Sequence, residues 1–135
     1  DTCVPISRLA DCLLDSAAEA AASGLPHYIV GHVGDGNFHF GYLIDPDSPE
    51  DWRVAEALNH ALVHRALALG GTCSGEHGIG LHKMGFLREE AGEGAIAMMR
   101  AIKRALDPDD IMNPGKIFER SGNGNREPAT GAAGN

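Results

Sequence analysis

The sequence predicts an α+β fold, in which an antiparallel sheet is covered on one face by helices. Residues 27–44 alternate apolar and polar side chains around the dipeptide Asp35-Gly36, which is a strong signal for a tight β-hairpin turn. Apolar residues recur at helical spacing before and after this hairpin. At 135 residues, the chain has the size of about one domain.

Composition excludes several classes of function. The net charge is −8 and no basic cluster is present, which argues against nucleic acid or an anionic membrane surface as a partner. No apolar run approaches the ~20 residues that a transmembrane span needs. Three cysteines without Cys-x-x-Cys spacing predict free thiols in a reducing compartment. Because the chain starts with Asp1 and not with Met, we expect a fragment of a longer protein.

The N-terminal third is predicted to pair a strand with a helix. Residues 2–6 read as a short strand that Pro5 limits. Ser7 is a plausible N-cap for a helix that runs through Ala22, and Gly24 ends this helix.

The hairpin predicts a register with a chemical consequence. If Asp35 and Gly36 are the two turn residues, His32 lies directly opposite His39. Alternation then places both histidines on one face beside Gly41, which leaves space there. The opposite face carries Phe38 and Phe40 and is predicted to be buried under the helices.

The remaining chain is predicted to be mainly helical. Ser48 caps a helix that begins at Pro49 and extends to about Leu69. A glycine-rich loop or short strand plus turn follows at residues 71–80, and helical patterns resume over 82–90 and 93–106. The last predicted elements are a turn at 107–110, a compact segment at 111–118 and a disordered tail at 119–135.

Two imidazoles and a carboxylate form a candidate metal site. His32, His39 and Glu76 would give a three-ligand set known for zinc, manganese and iron, and this set does not choose among those metals. His77, next to Glu76, is a candidate general base because imidazole titrates near neutral pH. The alternative interpretation is that the histidines are structural or surface residues and that Glu76 is a helix-start charge.

Other polar residues receive plainer interpretations. His60 and His64 lack the glutamate of a zinc-protease motif and are predicted to lie on a solvated face, as are His27 and His82. Cys73 is predicted to be a small buried side chain. Lys83 and Lys116 could contact an anionic group or lie in solvent. Asn113 precedes Pro114, which predicts an extended backbone, and its amide could face a ring cofactor.

Three ordered motifs carry a family resemblance. They are Gly-His-Val-Gly-Asp-Gly-Asn-Phe-His at 31–39, Ser-Gly-Glu-His-Gly-Ile-Gly at 74–80 and Leu-Asp-Pro-Asp-Asp-Ile-Met-Asn-Pro-Gly-Lys-Ile at 106–117. With the segment leading into them, they resemble the C-terminal part of FAD-linked oxidases over residues 2–118. The branch they resemble contains the D-lactate dehydrogenases (cytochrome) and the glycolate oxidase flavin subunits, which have the vanillyl-alcohol-oxidase fold.

The resemblance implies roles for specific residues. His32, His39 and Glu76 would ligate a divalent metal, with zinc as the expected ion. His77 would take the hydroxyl proton of a D-2-hydroxy acid while hydride passes to FAD, and Asn113 would lie near the flavin. Residues 1–118 would then be the substrate and metal part of the enzyme.

The resemblance also has departures and alternatives. Related D-2-hydroxyglutarate dehydrogenases have asparagine where this chain has Gly41, which favours a smaller acid such as lactate. The family's FAD-binding domain and substrate-anchoring arginine would precede Cys3, so we expect this chain alone to bind no FAD and to be inactive. The expected electron acceptor is a cytochrome or a quinone, and the expected location is cytoplasmic, with a peripheral position on the inner membrane as a variant. The alternatives are a glycolate oxidase flavin subunit and a non-catalytic metal-binding or assembly module.

Overall fold

The computed structural model describes residues 1–119 and confirms the α+β prediction. A three-stranded antiparallel sheet has the order β1-β3-β2. The elements are β1 (Thr2–Cys3), α1 (Leu9–Ser23), β2 (His27–His32), β3 (Asn37–Tyr42), α2 (Pro49–Ala68) and α3 (Met84–Leu106). Apart from its first residue, the tail predicted at 119–135 lies outside the described residues.

Helices α1 and α2 pack on the predicted face of the sheet. The main core cluster joins the two helices to the start of the chain and to β3 through Val4, Leu9, Cys12, Phe38, Leu62 and Ala66. Phe40 packs against this cluster as a partly buried neighbour. A second cluster, made of Val63, Cys73 and Phe86, fixes the loop between α2 and α3.

The hairpin register differs from the predicted one by two residues. Residues 33–36 all belong to the connection, with a 3-10 turn over Val33–Asp35 and Gly36 in the left-handed region at φ 75°. His32 therefore pairs with Asn37, and His39 pairs with Val30. The predicted direct opposition of His32 and His39 is wrong. Because side chains alternate with a period of two, an even shift keeps both histidines on the same face.

The first strand explains the longer connection. The backbone N–H of Val4 donates to Gly36 O at 3.0 Å, and Cys3 pairs with Asn37. A two-residue turn would have placed Val33 and Gly34 in the β2–β3 ladder, but both lie in the connection, which these contacts hold against the first strand. A tertiary contact has overridden the local turn preference.

Helix boundaries follow the sequence signals with one exception. Ser48 Oγ accepts a hydrogen bond from Asp51 N at 3.2 Å, and Pro49 is the first residue of α2, as predicted. Gly92, at φ 77° and ψ 161°, interrupts α3 and accounts for the two predicted helical stretches. Ser7 is not an N-cap, because it lies inside a 3-10 turn, Ile6–Arg8, that leads into α1.

Two predictions from composition can be compared with the structure. Cys3, Cys12 and Cys73 are free thiols, as predicted. None of the helices within residues 1–119 combines the length and the apolar character needed to cross a membrane.

Gly36→Ala is expected to destabilise the fold by about 2 kcal/mol or more. A Cβ at Gly36 would lie 2.0 Å from the carbonyl oxygen of Val4, and the φ of 75° disfavours an L side chain. Urea denaturation followed by the fluorescence of Trp52, the single tryptophan of the chain, measures the change. The matched control is Gly34→Ala, because a Cβ there meets no atom within 4 Å. Equal stability of the two variants would contradict this account of the turn.

Candidate active site

The two histidines of the hairpin lie side by side on the sheet face that α1 and α2 leave uncovered. His32 ends β2, and His39 lies within β3, diagonally across the strand pair. Their ring centroids are 6.2 Å apart, and the rings are perpendicular. The side chain of His39 is 18% exposed and that of His32 is 62% exposed. One imidazole is therefore held by its surroundings, and the other is open to solvent.

The loop between α2 and α3 brings a carboxylate to these rings. Thr72 joins the sheet through an isolated bridge, in which Cys3 N donates to Thr72 O and Thr72 N donates to Cys3 O. The chain then turns at Gly75 and Gly78, which have φ values of 52° and 74°. Glu76 follows the first of these turns, and its Oε1 lies 3.0 Å from His39 Nε2 and 3.5 Å from His32 Nε2.

The cluster of His32, His39 and Glu76 fits a divalent metal. One ligand atom from each residue lies within 4.8 Å of the others. Ligands about 2.0–2.1 Å from a tetrahedral ion stand about 3.3–3.5 Å apart, and the two Glu76 distances of 3.5 and 3.0 Å lie close to this range. Two neutral nitrogen donors and one carboxylate suit zinc, manganese and iron, and the ligand types do not choose among them.

His77 lies against the same cluster. Its ring stacks on His39 with a centroid distance of 4.9 Å and an interplanar angle of 16°. His77 Nε2 is 3.8 Å from Glu76 Oε1, and the side chain is 64% exposed. Neighbouring side chains would point apart on a regular strand, but the two glycine turns bend this loop so that Glu76 and His77 reach the same place.

Asp1 is a site residue that the sequence analysis did not find. Its Oδ1 lies 2.9 Å from Asn37 Nδ2 and 3.2 Å from His39 Nδ1. Its Oδ2 accepts from His77 N at 2.9 Å and lies 3.3 Å from His77 Nδ1. No local pattern marks this residue, because its partners lie at least 36 positions away in the sequence.

Lys83 supports the loop and does not face an open site. Its ammonium donates to Asp1 O at 2.7 Å and to Ser74 O at 3.3 Å. Burial lowers the pKa of Lys83. Its ammonium also lies 3.5 Å from Asp1 Oδ2, so of the two interpretations left open by the sequence, contact with an anionic group describes this lysine and full solvation does not.

The space beside Gly41 is not empty, contrary to the prediction. The ring of Tyr28 lies across Gly41, so that a Cβ built there would be 2.1 Å from Tyr28 Cζ and 2.5 Å from the hydroxyl oxygen. The two residues are directly paired in the β2–β3 ladder. The space that Gly41 leaves on β3 is filled by the aromatic ring of Tyr28 from β2.

Asn113 lies in a separate cavity near the C-terminal end of the described chain. Its backbone is left-handed, with φ at 47°, and so the predicted extended conformation is wrong. Asparagine tolerates this region better than most residues. The cavity of about 450 Å³ is lined in part by Gly80, Lys103 and Ile117, and by no residue of the histidine cluster. Ile117 N donates to Gly80 O at 2.8 Å, which attaches this segment to the Glu76 loop.

Cys73, His60, His64 and His82 lie as predicted, whereas His27 is half-buried and its ring stacks on Phe40. Cys73 is fully buried, and burial together with the neighbouring Glu90 raises the pKa of its thiol to about 12, which rules it out as a nucleophile at neutral pH. His60 and His64 are exposed, although both rings also lie against Phe86, at centroid distances of 4.8 and 5.7 Å.

Glu90 of α3 fastens the base of the functional loop. Its Oε2 accepts from Cys73 N at 2.8 Å and from Thr72 Oγ1 at 3.1 Å. Partial burial would raise the pKa of Glu90, but the hydrogen bonds from Cys73 and Thr72 outweigh it and lower that pKa. The bonds stabilise the charged carboxylate.

Comparison with known proteins gives one consistent group. A family profile described as "FAD linked oxidases, C-terminal domain" matches residues 1–117. The chain is 51% identical over 118 residues to the mitochondrial D-lactate dehydrogenase [cytochrome] of Arabidopsis thaliana, covering 87% of the chain and 21% of that protein. It is 44% identical to the mitochondrial D-lactate dehydrogenase [cytochrome] 1 of Saccharomyces cerevisiae, with 96% and 21% covered. It is 34% identical to glycolate oxidase subunit GlcD of Bacillus subtilis, with 89% and 26% covered. The chain thus spans a fifth to a quarter of the length of these relatives.

Glu90→Gln is expected to lower the free energy of unfolding by about 1 kcal/mol at pH 7, because charged acceptors form stronger hydrogen bonds. The folded-state pKa of Glu90 lies below its unfolded value, so this stabilisation is present above an unfolded pKa of about 4.3 and is lost as the pH falls through the folded pKa. Urea denaturation at several pH values measures the effect. The neighbouring variant Glu89→Gln, which removes only an exposed contact to His64, is the control. A constant difference between wild type and Glu90→Gln down to pH 3 would contradict the assignment.

Proposed function

Because the chain belongs to the family of FAD linked oxidases, C-terminal domain, we propose that it supplies the substrate and metal part of an FAD-dependent D-2-hydroxy-acid dehydrogenase. The proposed reaction of the full-length protein is the oxidation of D-lactate to pyruvate. The observation that carries this proposal is the position of Glu76 Oε1, within 3.0 and 3.5 Å of two imidazole nitrogens, beside a third imidazole.

Two observations support D-lactate as the substrate. The relatives named D-lactate dehydrogenase [cytochrome] from Arabidopsis thaliana and Saccharomyces cerevisiae are 51% and 44% identical, against 34% for the glycolate oxidase subunit. In addition, the Tyr28 ring covers Gly41, which is two residues from His39 on the same face of β3. This leaves less room beside the histidines than a bare glycine would, and so favours a small acid, lactate or glycolate, over a larger one.

His32, His39 and Glu76 would hold the divalent metal, with zinc as the proposed ion. A metal bound there would act as a Lewis acid toward the hydroxyl and carboxylate of the substrate. FAD would accept the hydride. We propose that Asn113 lies near its flavin ring. We do not expect the 135-residue chain to bind FAD or to turn over substrate without the rest of the protein.

His77 is the proposed general base. It would accept the hydroxyl proton of the substrate as the hydride leaves the substrate's Cα, and this yields the 2-oxo acid. The stacking of His77 on His39 keeps its imidazole beside the proposed ligands without making it one of them. Its exposed side chain leaves the ring accessible to a bound acid.

The proposed electron acceptor is a cytochrome, as in the names of two of the relatives, or a quinone. A peripheral position on the inner membrane, with the protein otherwise in the cytoplasm, would bring the reduced flavin to such an acceptor. A glycolate oxidase subunit remains the second candidate, since the Bacillus subtilis relative bears that name. Comparing kcat/KM of the full-length protein for D-lactate and glycolate separates the two.

Removing a proposed ligand is expected to remove the metal. In the full-length protein, His39→Ala should weaken metal affinity more than about 100-fold, because the loss of a direct ligand exceeds the 10–100-fold effect of outer-shell changes. Metal content after dialysis, measured by mass spectrometry, reports the loss. His82→Ala removes an exposed histidine outside the cluster and should leave metal content unchanged. The ligand assignment would be wrong if His39→Ala kept its full metal content, or if the wild type held no metal after incubation with it.

His77→Ala is expected to retain the metal and to lose activity. Loss of a general base lowers kcat by about 10²–10⁴-fold. Reduction of a dye by the full-length protein with D-lactate measures kcat, and metal analysis of the same sample shows whether the site is intact. If both the metal and the dye reduction persist at wild-type levels, His77 is not the base.

A further inference from the structure

We propose that Asp1 is a positioning residue, whose carboxylate fixes the ring orientation and the tautomer of His39 and His77 together. It would hold each imidazole with hydrogen on Nδ1 and with Nε2 free. This inference rests on the proposed function for the roles of the two histidines. The contacts of Asp1 with the two imidazoles do not depend on that function.

The carboxylate of Asp1 divides its two oxygens between the two histidines. Oδ1 lies 3.2 Å from His39 Nδ1, while Nε2 of the same ring lies 3.0 Å from Glu76 Oε1. Oδ2 lies 3.3 Å from His77 Nδ1 and accepts from His77 N at 2.9 Å. Asp1 thus contacts Nδ1 of both rings, and Nε2 of both rings faces the proposed site.

Burial strengthens the contact of His39 with Asp1 relative to its contact with Glu76. The Asp1 side chain is 6% exposed, whereas that of Glu76 is 46% exposed. A hydrogen bond to the buried carboxylate is less weakened by water than one to the exposed carboxylate. When the neutral His39 ring has a single proton to place, Nδ1 is therefore the favoured position.

Within residues 1–119, His39 Nδ1 lacks a hydrogen-bond partner, and Asp1 can supply one. This atom is buried, and among the described residues it has no aligned hydrogen-bond partner, although Asp1 Oδ1 is only 3.2 Å away. The distance permits a hydrogen bond, but the direction of the N–H does not. In the proposed arrangement, the ring of His39 turns so that its Nδ1–H points at Asp1 Oδ1.

Asp1 is a poor candidate for a metal ligand, although it also lies in a group with His39 and His77 that could hold an ion. Its oxygens already accept from Asn37 Nδ2 and His77 N. The ammonium of Lys83 lies 3.5 Å from Oδ2 and would repel a second cation. The carboxylate therefore contacts the histidines at Nδ1 and does not bind the metal itself.

The consequence for chemistry follows from the tautomer. A metal-binding imidazole uses a nitrogen without hydrogen, and an acceptor on the other nitrogen fixes which one this is. A general base has the same requirement. One buried carboxylate would thus prepare a proposed metal ligand and the proposed base at once.

The test replaces Asp1 by asparagine in the full-length protein. An amide has one oxygen where the carboxylate has two, so it cannot accept on both sides. Two donors, His77 N and the Lys83 ammonium, face the Oδ2 position, against Asn37 Nδ2 at the Oδ1 position, so the amide oxygen is expected to stay at the Oδ2 position. The NH₂ then loses the hydrogen bond from Asn37 and faces His39 Nδ1, as after the carboxylate-to-amide change in a catalytic triad. Asp11→Asn is the matched control, because Asp11 is exposed and its ion-pair partner among the described residues is Arg8.

Two readouts are compared. Two-bond ¹⁵N–¹H correlation spectra of the metal-free protein with ¹⁵N-labelled histidine, at alkaline pH where free imidazole is neutral, report the tautomers. His39→Gln and His77→Gln assign the signals. Competition with a chelator gives the zinc dissociation constant, which should rise about 10–100-fold in Asp1→Asn.

The proposal expects Nδ1–H on His39 and His77 in wild type and in Asp11→Asn, and Nε2–H on His39 in Asp1→Asn. Nε2–H on His39 in wild type would overturn it, even if Asp1→Asn fails to fold. An unchanged tautomer and an unchanged zinc affinity in a less stable Asp1→Asn protein would also overturn it, since Asp1 would then only anchor the chain. If wild type binds no zinc but its tautomers still depend on Asp1, the metal proposal fails and the positioning proposal stands.

Discussion

The candidate site depends on the pairing of a two-residue strand. Residues Thr2 and Cys3 form a ladder with β3, and Cys3 also exchanges two backbone hydrogen bonds with Thr72. The hairpin histidines lie on one side of this strand and the Glu76 loop on the other. Within residues 1–119, β1 provides the backbone hydrogen bonds that join the strand of His39 to the loop of Glu76. The local turns shape each half, and β1 sets the distance between them.

The sequence predicted which faces and segments matter, because alternation and helical spacing are local signals. It identified Phe38 and Phe40 as the buried face, the Ser48 cap and the break in α3 near Gly92. It did not predict the register, because Asp35-Gly36 also fits a two-residue turn and the contact between Val4 and Gly36 is tertiary. The faces remained correct since the error was an even number of residues.

The site residues divide in the same way. His32, His39, Glu76 and His77 lie in motifs, and the structure brings all four together. Asp1 and Glu90 could not be found from the sequence. Each acts through partners far along the chain, and a single carboxylate has no pattern. Tyr28 shows the limit of reading an empty space from a glycine, because a neighbouring strand can fill it.

The short strand β1 also has a consequence for the order in which the protein folds. The β2–β3 hairpin closes over a few residues, whereas the Cys3–Thr72 contact closes a loop of about 70 residues, at a larger entropic cost. A partly folded chain can therefore present His32 and His39 before Glu76 arrives. Two imidazoles without the carboxylate would be a weaker and incomplete form of the proposed ligand set. Late closure by β1 would thus delay the proposed ligand set until the surrounding structure is in place, and an immature chain would be less able to trap an ion in the wrong geometry.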